Sequence, residues 1–266
     1  MHPVLGEVLG VGIPAHEAFV ALGLLVATLV FGAEMRRRRM ADPRLWAVVA
    51  VALSWGGVFM YAGTWFQHLD PSANAGFVAQ FLYGNRSVLG GLAGAYAGAL
   101  AGKRLTGYRG RTGALFAPAV AAGLAIGRVG CLLTEDPGSP TGHDWGIVLD
   151  PAAAARTGAV AGVPLHPSFL YEIAFHLLAL ALVVRHRDRL EEPAGLLTVY
   201  LAAYAVFRFL VEFVRGNEVA WLGLTRPQLF LLALGPLVLW RAARVLRPAR
   251  HTAPIAPVPP ITQEVA

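Results

Sequence analysis

From Leu45 to Gln67 the chain contains no Asp, Glu, Lys or Arg. A helix of about 20 apolar residues is enough to cross the hydrocarbon layer of a bilayer. Similar runs recur from Ala18 to Ala33, Ser87 to Gly102, and Thr112 to Leu133, the last interrupted only by Arg128. Three more follow: Ser168 to Val184 with Glu172 near its start, Pro193 to Val214 with Arg208 and Glu212, and Pro227 to Trp240. Inside a bilayer the backbone must satisfy its own hydrogen bonds, so runs of this kind fold as helices. Composition agrees, because 14% of the residues are charged where a soluble domain carries about 25%. With 56% hydrophobic residues, the chain is also far too apolar to be disordered. The expected fold is an all-α integral membrane protein of about seven transmembrane helices. Residues 1–247 read as one multi-pass domain, and 248–266 as a disordered, Pro-rich tail.

Charge sets the expected orientation. Counted at alternate helix ends, sixteen Lys and Arg fall on one side and six on the other. The positive-inside rule puts the rich side in the cytoplasm, so the N-terminus lies outside and the C-terminus, with its tail, inside. The net charge of +6 does not point to nucleic acid, since the basic residues sit in short clusters between apolar runs. No basic segment precedes the first run, so a cleavable signal peptide is not expected. The long connections 68–86, 134–167 and 216–226 then lie outside, and Trp65, Trp145, Tyr171 and Trp221 occupy interfacial positions. A lone cysteine, Cys131, excludes a disulfide framework. It reads as a small buried side chain rather than a nucleophile. The adjacent Glu135 and Asp136 find no His or carboxylate pattern to complete a metal site, so no metal is expected there.

Several polar residues stand out against this apolar background. Gly90, Gly94, Gly98 and Gly102 recur every four residues, a strip on which another helix can pack closely. Just before them, Arg86 and the helix start near Gly91 suit an anionic headgroup. Arg128 lies inside the fourth run, where an unpaired charge is costly, and Gly127 and Gly130 are expected to open space around its guanidinium. His166 could act as a base or orient its loop, with Tyr171 and Glu172 following at the fifth helix. Arg208, Glu212 and Arg215 are spaced to share one helix face. Glu212 is the obvious counter-charge to Arg128 and Arg208, so the site is expected to stay positive. Arginines in an apolar surround match phosphate oxygens through paired N–H donors.

Taken in order, Gly127-Arg128-x-Gly130, the Pro140-Thr141 loop, His166-Pro167-x-x-Leu170-Tyr171-Glu172 and Arg208-Phe209-x-x-Glu212-x-x-Arg215 resemble the phosphatidylglycerol–prolipoprotein diacylglyceryl transferase family. The likeness runs from about Arg86 to Arg215, and the helix count and orientation agree with it. It implies Arg128, Arg208 and Glu212 as catalytic residues. It also implies Arg86, Gly91, Gly127, Gly130, His166, Tyr171, Glu172 and Arg215 as residues binding phospholipid or substrate. The chain departs from the family in three places. Leu89 stands where the family has a histidine before Gly-Gly, Cys131 replaces an asparagine common there, and a first-helix tyrosine has no evident counterpart near His16.

The resemblance implies a bacterial inner-membrane enzyme with its site near the outer face and no cofactor. It would move diacylglyceryl from phosphatidylglycerol to the lipobox cysteine of a prolipoprotein, forming a thioether and releasing glycerol phosphate. The base is left unassigned by Leu89. Two other readings stay open: a catalytically silent paralogue binding anionic lipid or lipoprotein precursors, and a lipid or anion transporter, which the lack of internal repeats disfavours.

Overall fold

The structure, a computed structural model, describes residues 4–8, 11–65, 76–84, 86–189 and 193–247. The Pro-rich tail, Asn85 and most of the connection after Trp65 lie outside the described residues. Seven long helices dominate: α1 (Ala15–Arg37), α2 (Arg44–Trp65), α4 (Val88–Thr106), α5 (Gly113–Thr134), α7 (Ser168–His186), α8 (Leu196–Val211) and α9 (Arg226–Leu246). Among the described residues, six of them are long and apolar enough to cross a membrane; the glycine-rich α4 is the one left out. Their outer faces carry exposed apolar side chains such as Leu29, Leu178 and Leu210, each about 60% accessible. The protein is an all-α integral membrane protein.

The connections hold more structure than the sequence reading gave them. Short helices α3 (Phe77–Tyr83) and α6 (Pro151–Thr157) lie in the first two. Three small antiparallel two-stranded sheets pair β1 (Val4–Val8) with β2 (Val11–Pro14), β3 (Ile147–Val148) with β4 (Pro164–Leu165), and β5 (Val219–Trp221) with β6 (Leu224–Thr225). The last turns on Leu222 and Gly223, both at positive φ, the backbone of a two-residue hairpin loop.

Small residues set how the helices meet. In α4 the expected glycine strip packs on α2: a Cβ at Gly98 would lie 2.8 Å from the Val51 carbonyl oxygen, and one at Gly102 3.0 Å from Val48 Cα. The most enclosed helix is α5, rich in Ala and Gly, which α1 crosses antiparallel with Gly23 against Gly123. A Cβ on Gly130 would reach 3.0 Å from the His16 carbonyl oxygen, so this glycine admits the start of α1 rather than making room for the Arg128 guanidinium. Gly127 does face open space, with nothing within 4 Å of its Cβ position.

The basic helix ends gather at one end of the bundle. Arg37 of α1 binds Asp188 beyond α7 through both terminal nitrogens, at 2.9 and 3.0 Å. Buried Glu34 is met there by Arg37, Arg38 and Arg187. At the opposite end, the loop after α5 is tied to the ends of α7 and α8. Ser139 donates its backbone N–H to Val214 and accepts from His166, while Ser168 donates to Pro137. Gly138, at φ 150°, is boxed in by the His166 carbonyl oxygen 2.8 Å from its Cβ position, so no side chain fits.

The α2–α4 contact is tested by paired substitutions. Gly98→Ala should destabilise the detergent-solubilised protein by about 1–3 kcal/mol through overpacking. Gly57→Ala, whose Cβ would meet nothing within 4 Å, should be neutral or slightly stabilising because alanine is the better helix former. Equal thermal shifts for the two variants would contradict this packing.

Candidate functional site

At the end of the bundle capped by the 135–140 loop, α5, α7 and α8 bring charged side chains together in the interior. Glu172, fully buried on the first turns of α7, lies 2.7 Å from Arg128 Nη2 of α5 and 3.3 Å from Arg215 Nη1. Tyr204 of α8 completes the link, accepting from Arg128 at 3.3 Å and donating to Glu172 at 3.1 Å. Arg208, one turn beyond Tyr204 on α8, pairs with Glu212. Buried Phe169 lies beneath two of these cations, with the Arg215 guanidinium 4.1 Å and that of Arg128 5.9 Å from its ring centre. Such stacking holds a guanidinium plane without consuming its donors.

This arrangement corrects the expectation that Glu212 is the counter-charge to both deep arginines. Arg128 belongs to Glu172, and Glu212 serves Arg208 alone. Inside the bundle three guanidinium groups stand against two fully buried carboxylates, an excess of one positive charge, while a third carboxylate, partly exposed Glu135, lies 3.7 Å from Arg215 at the rim. Burying that charge is costly unless something compensates it. Two buried N–H donors, Arg128 Nε and Arg215 Nε, have no hydrogen-bond partner among the described residues.

The chain end of α8 differs from the expected single helix face. After Val211 the helix tightens into a 3₁₀ turn over Glu212–Val214. Arg215 therefore leaves the helix, which lets it reach Glu172 on α7 and, at 3.7 Å, Glu135. Glu212 is pinned from the far side: Asn217 donates to Oε1 at 2.7 Å and Thr225 at 2.9 Å. Thr225 is also the N-cap of α9 in a capping box with Gln228. Two neighbours therefore hold the carboxylate that orients Arg208.

The remaining expected residues lie apart from this cluster. His166 Nδ1 meets the Tyr171 hydroxyl at 3.2 Å and packs edge-on against Trp145, forming a separate pair at the start of α7. Arg86 is exposed, 3.4 Å from Glu17 and over the ring of Tyr61. Ser87, not an anion, caps α4 by accepting from Gly90 N–H at 3.0 Å. A Cβ at Gly91 would make only ordinary contact, at 3.5 Å from Met60. Leu89 is partly buried.

Sequence reading missed several neighbours. Tyr204 and Tyr200 precede Arg208 at steps of four residues, a spacing that marks them on its helix face. Tyr200 bonds His176 Nδ1 at 2.9 Å, one turn below Glu172 on α7. His16, delivered by the Gly130 contact, lies 3.9 Å from Cys131 Sγ and 3.5 Å from Glu135 Oε1. Arg128 Nη1 donates toward the same sulfur at 3.7 Å. Cys131 is therefore buried, as expected, but inside a polar group.

A cavity of about 730 Å³ lies elsewhere. It opens toward the other ends of α5 and α8, between Phe31, Tyr96, Leu201 and Leu237, with Lys103 and Arg244 at its edge. None of the cluster's side chains line it.

Comparison with known proteins bears on what that cluster serves. The family model described as prolipoprotein diacylglyceryl transferase matches residues 3–241. A phosphatidylglycerol–prolipoprotein diacylglyceryl transferase of Frankia alni is 33% identical over 76% of this chain and 54% of its own length. The chain thus spans about half the length of that relative. One from Clostridium perfringens is 28% identical over 90% of this chain and 94% of its own, and one from Clostridium tetani is 26% identical over 82% and 86%. The chain belongs to the prolipoprotein diacylglyceryl transferase family.

Proposed function

We propose that this protein transfers diacylglyceryl from phosphatidylglycerol to the lipobox cysteine of a prolipoprotein at the outer face of the bacterial inner membrane. The observation that carries the reading is the excess of one positive charge among the buried groups of the cluster, with two guanidinium N–H groups that have no partner among the described residues. A lipid phosphate supplies both what the charge and what the donors lack.

The reaction follows from those groups. The acceptor sulfur attacks the glyceryl carbon bonded to the phosphate oxygen. A C–S bond forms, the thiol proton passes to solvent, the C–O bond breaks, and its electron pair leaves on glycerol phosphate. Arg128, Arg208 and Arg215 face the charge that builds on the leaving phosphate, and a site closed to water strengthens that contact. Glu172 and Glu212 act as positioning residues, because their oxygens are occupied by arginines and their neighbours. Gly127 leaves room beside Arg128 for substrate, whereas Gly130 acts through α1. Arg86 and the Gly91 region suit a second contact to lipid headgroups, and His166 with Tyr171 forms part of the loop over the acceptor. Holding both substrates in one lipid-facing site supplies proximity.

A second reading is a silent paralogue that binds the lipid without transfer, and Leu89 is the observation in its favour. The two readings part on activity. Arg128→Ala and Arg208→Ala should each cost transfer of labelled diacylglyceryl to a lipobox peptide at least about 3 kcal/mol, or a hundredfold. Lysine at either position should rescue only part, since an ammonium cannot make the paired contact. Arg128→Lys still leaves a charge for buried Glu172, which separates lost chemistry from lost folding. Wild-type rates from both alanine variants would refute the phosphate site. A wild type that binds phosphatidylglycerol through these arginines but transfers nothing would establish the silent paralogue.

The proposed orientation, N-terminus outside and C-terminus inside, rests on the sixteen-to-six distribution of basic residues. The basic ends of α1, α4, α7 and α9 share one end of the bundle, which supports it. In a cysteine-free background, a thiol at exposed Ala155 of α6 should be labelled by an impermeant reagent from outside intact spheroplasts. One beyond Arg250 should react only after lysis. The reverse pattern would move the site to the wrong membrane face.

A further inference from the structure

We infer that His16, Cys131 and Glu135 form a binding site for a zinc-class divalent cation, with its open coordination position beside Arg128. Their ligand atoms, His16 Nδ1, Cys131 Sγ and a Glu135 carboxylate oxygen, all lie within 4.8 Å of one another. The imidazole nitrogen is 3.9 Å from the sulfur and 3.5 Å from Glu135 Oε1. Zinc–ligand bonds of about 2.0–2.3 Å at tetrahedral angles put ligand atoms about 3.4–3.6 Å apart. The two edges that meet at His16 are therefore within a few tenths of an ångström of those of a tetrahedron, and the sulfur–carboxylate edge closes within 4.8 Å. A Cys–His–Glu catalytic triad fits less well, because one imidazole nitrogen faces both the sulfur and the carboxylate.

Packing and charge both favour the site. Gly130 is what lets His16 come close to Cys131, since a Cβ there would lie 3.0 Å from the His16 carbonyl oxygen. Cys131 and Glu135 are one turn apart at the end of α5, so one rigid helix end presents two of the ligands. Arg128 donates toward the sulfur, and Arg215 lies 3.7 Å from the other Glu135 oxygen. These are the outer-shell donors that fix ligand orientation in metal sites. Bound as thiolate and carboxylate beside a neutral imidazole, the three ligands cancel a dication. The adjacent arginine cluster then keeps its net charge of +1 for phosphate. Thiolate and imidazole together select zinc-class ions over magnesium or calcium.

Three protein ligands and one vacancy are the pattern of a catalytic rather than a structural zinc site. Resting on the proposed transferase reading, the fourth ligand is the acceptor cysteine of the prolipoprotein. Its thiol gives its proton to solvent at the mouth where Glu135 is accessible, and the held sulfur then attacks the glyceryl carbon as above. This supplies a nucleophile where the chain has Leu89 and no evident base. It also puts the sulfur next to Arg128, which faces the leaving phosphate.

The test uses the full chain purified in detergent, stripped with a chelator and titrated with Zn²⁺ alone or Co²⁺ alone. About one ion per chain should bind, and Co²⁺ should give the near-ultraviolet charge-transfer band of a cobalt–thiolate bond. Cys131→Ser should abolish that band, and His16→Ala or Glu135→Gln should weaken Zn²⁺ binding by at least about tenfold. Unchanged gel-filtration profiles and helical content would show these variants to be folded. Zn²⁺ binding no tighter than that of the triple variant, or no cobalt–thiolate band, overturns the inference. Transfer assays separate this site from the proposed function. Wild-type transfer by a metal-free chain overturns the metal's role and leaves the transferase reading intact. Metal binding as expected in a chain that transfers nothing overturns the transferase reading and leaves the site standing.

Discussion

The Glu172 carboxylate is the point at which α5, α7 and the end of α8 are joined. It receives Arg128 on one oxygen and Arg215 on the other, with Tyr204 bridging from α8. A fully buried carboxylate in an apolar bundle is tolerable only while those partners remain, and removing one partner of such a pair costs about 3–5 kcal/mol. The cation excess follows from the same contact. Glu172 answers two of the three arginines and Glu212 the third, so the buried groups carry one positive charge in excess, with partly exposed Glu135 beside Arg215 at the rim. The fold thus depends on an ionic cluster whose imbalance is what makes it suited to an anionic substrate.

That cluster can exist because the surrounding helices approach through small residues. Gly23 against Gly123 and Gly130 against His16 bring α1 onto α5. The α4 glycines fasten α2 and α4 into a second pair. Membrane helices gain little from burying apolar surface against one another, so close packing and interhelical hydrogen bonds carry the association. Outside this interior the helices turn leucines outward, and the loop at 135–140 ties the functional end shut through Ser139 and Ser168.

The sequence makes the architecture legible because bilayer crossing demands long uncharged runs, and those runs became the seven long helices. The four-residue glycine spacing on α4 likewise named a packing face. Arg128, Arg208 and Arg215 stood out because a charge in an apolar run needs a reason. Their pairing was harder to read, since Glu172 meets Arg128 only through the tertiary contact between α7 and α5, and Glu212 was the nearby carboxylate along the chain for Arg208 and Arg215. The 3₁₀ turn at Glu212–Val214 redirected Arg215 in a way that helical spacing does not report. His16 was overlooked because its neighbour Cys131 lies far away in sequence. The Thr225-x-x-Gln228 capping box was readable, but its contact with Glu212 was not. Nothing local marks a hairpin in Leu222-Gly223, since leucine seldom takes positive φ.

The central claim is that the unpartnered guanidinium donors of this cluster belong to a lipid phosphate. The most direct measurement is a structure of the protein in nanodiscs with phosphatidylglycerol bound. The account predicts phosphate oxygens within hydrogen-bond distance of Arg128 Nε or Arg215 Nε, with the Glu172 contacts retained. A phosphate seated elsewhere, with both Nε donors still lacking an acceptor, would contradict it.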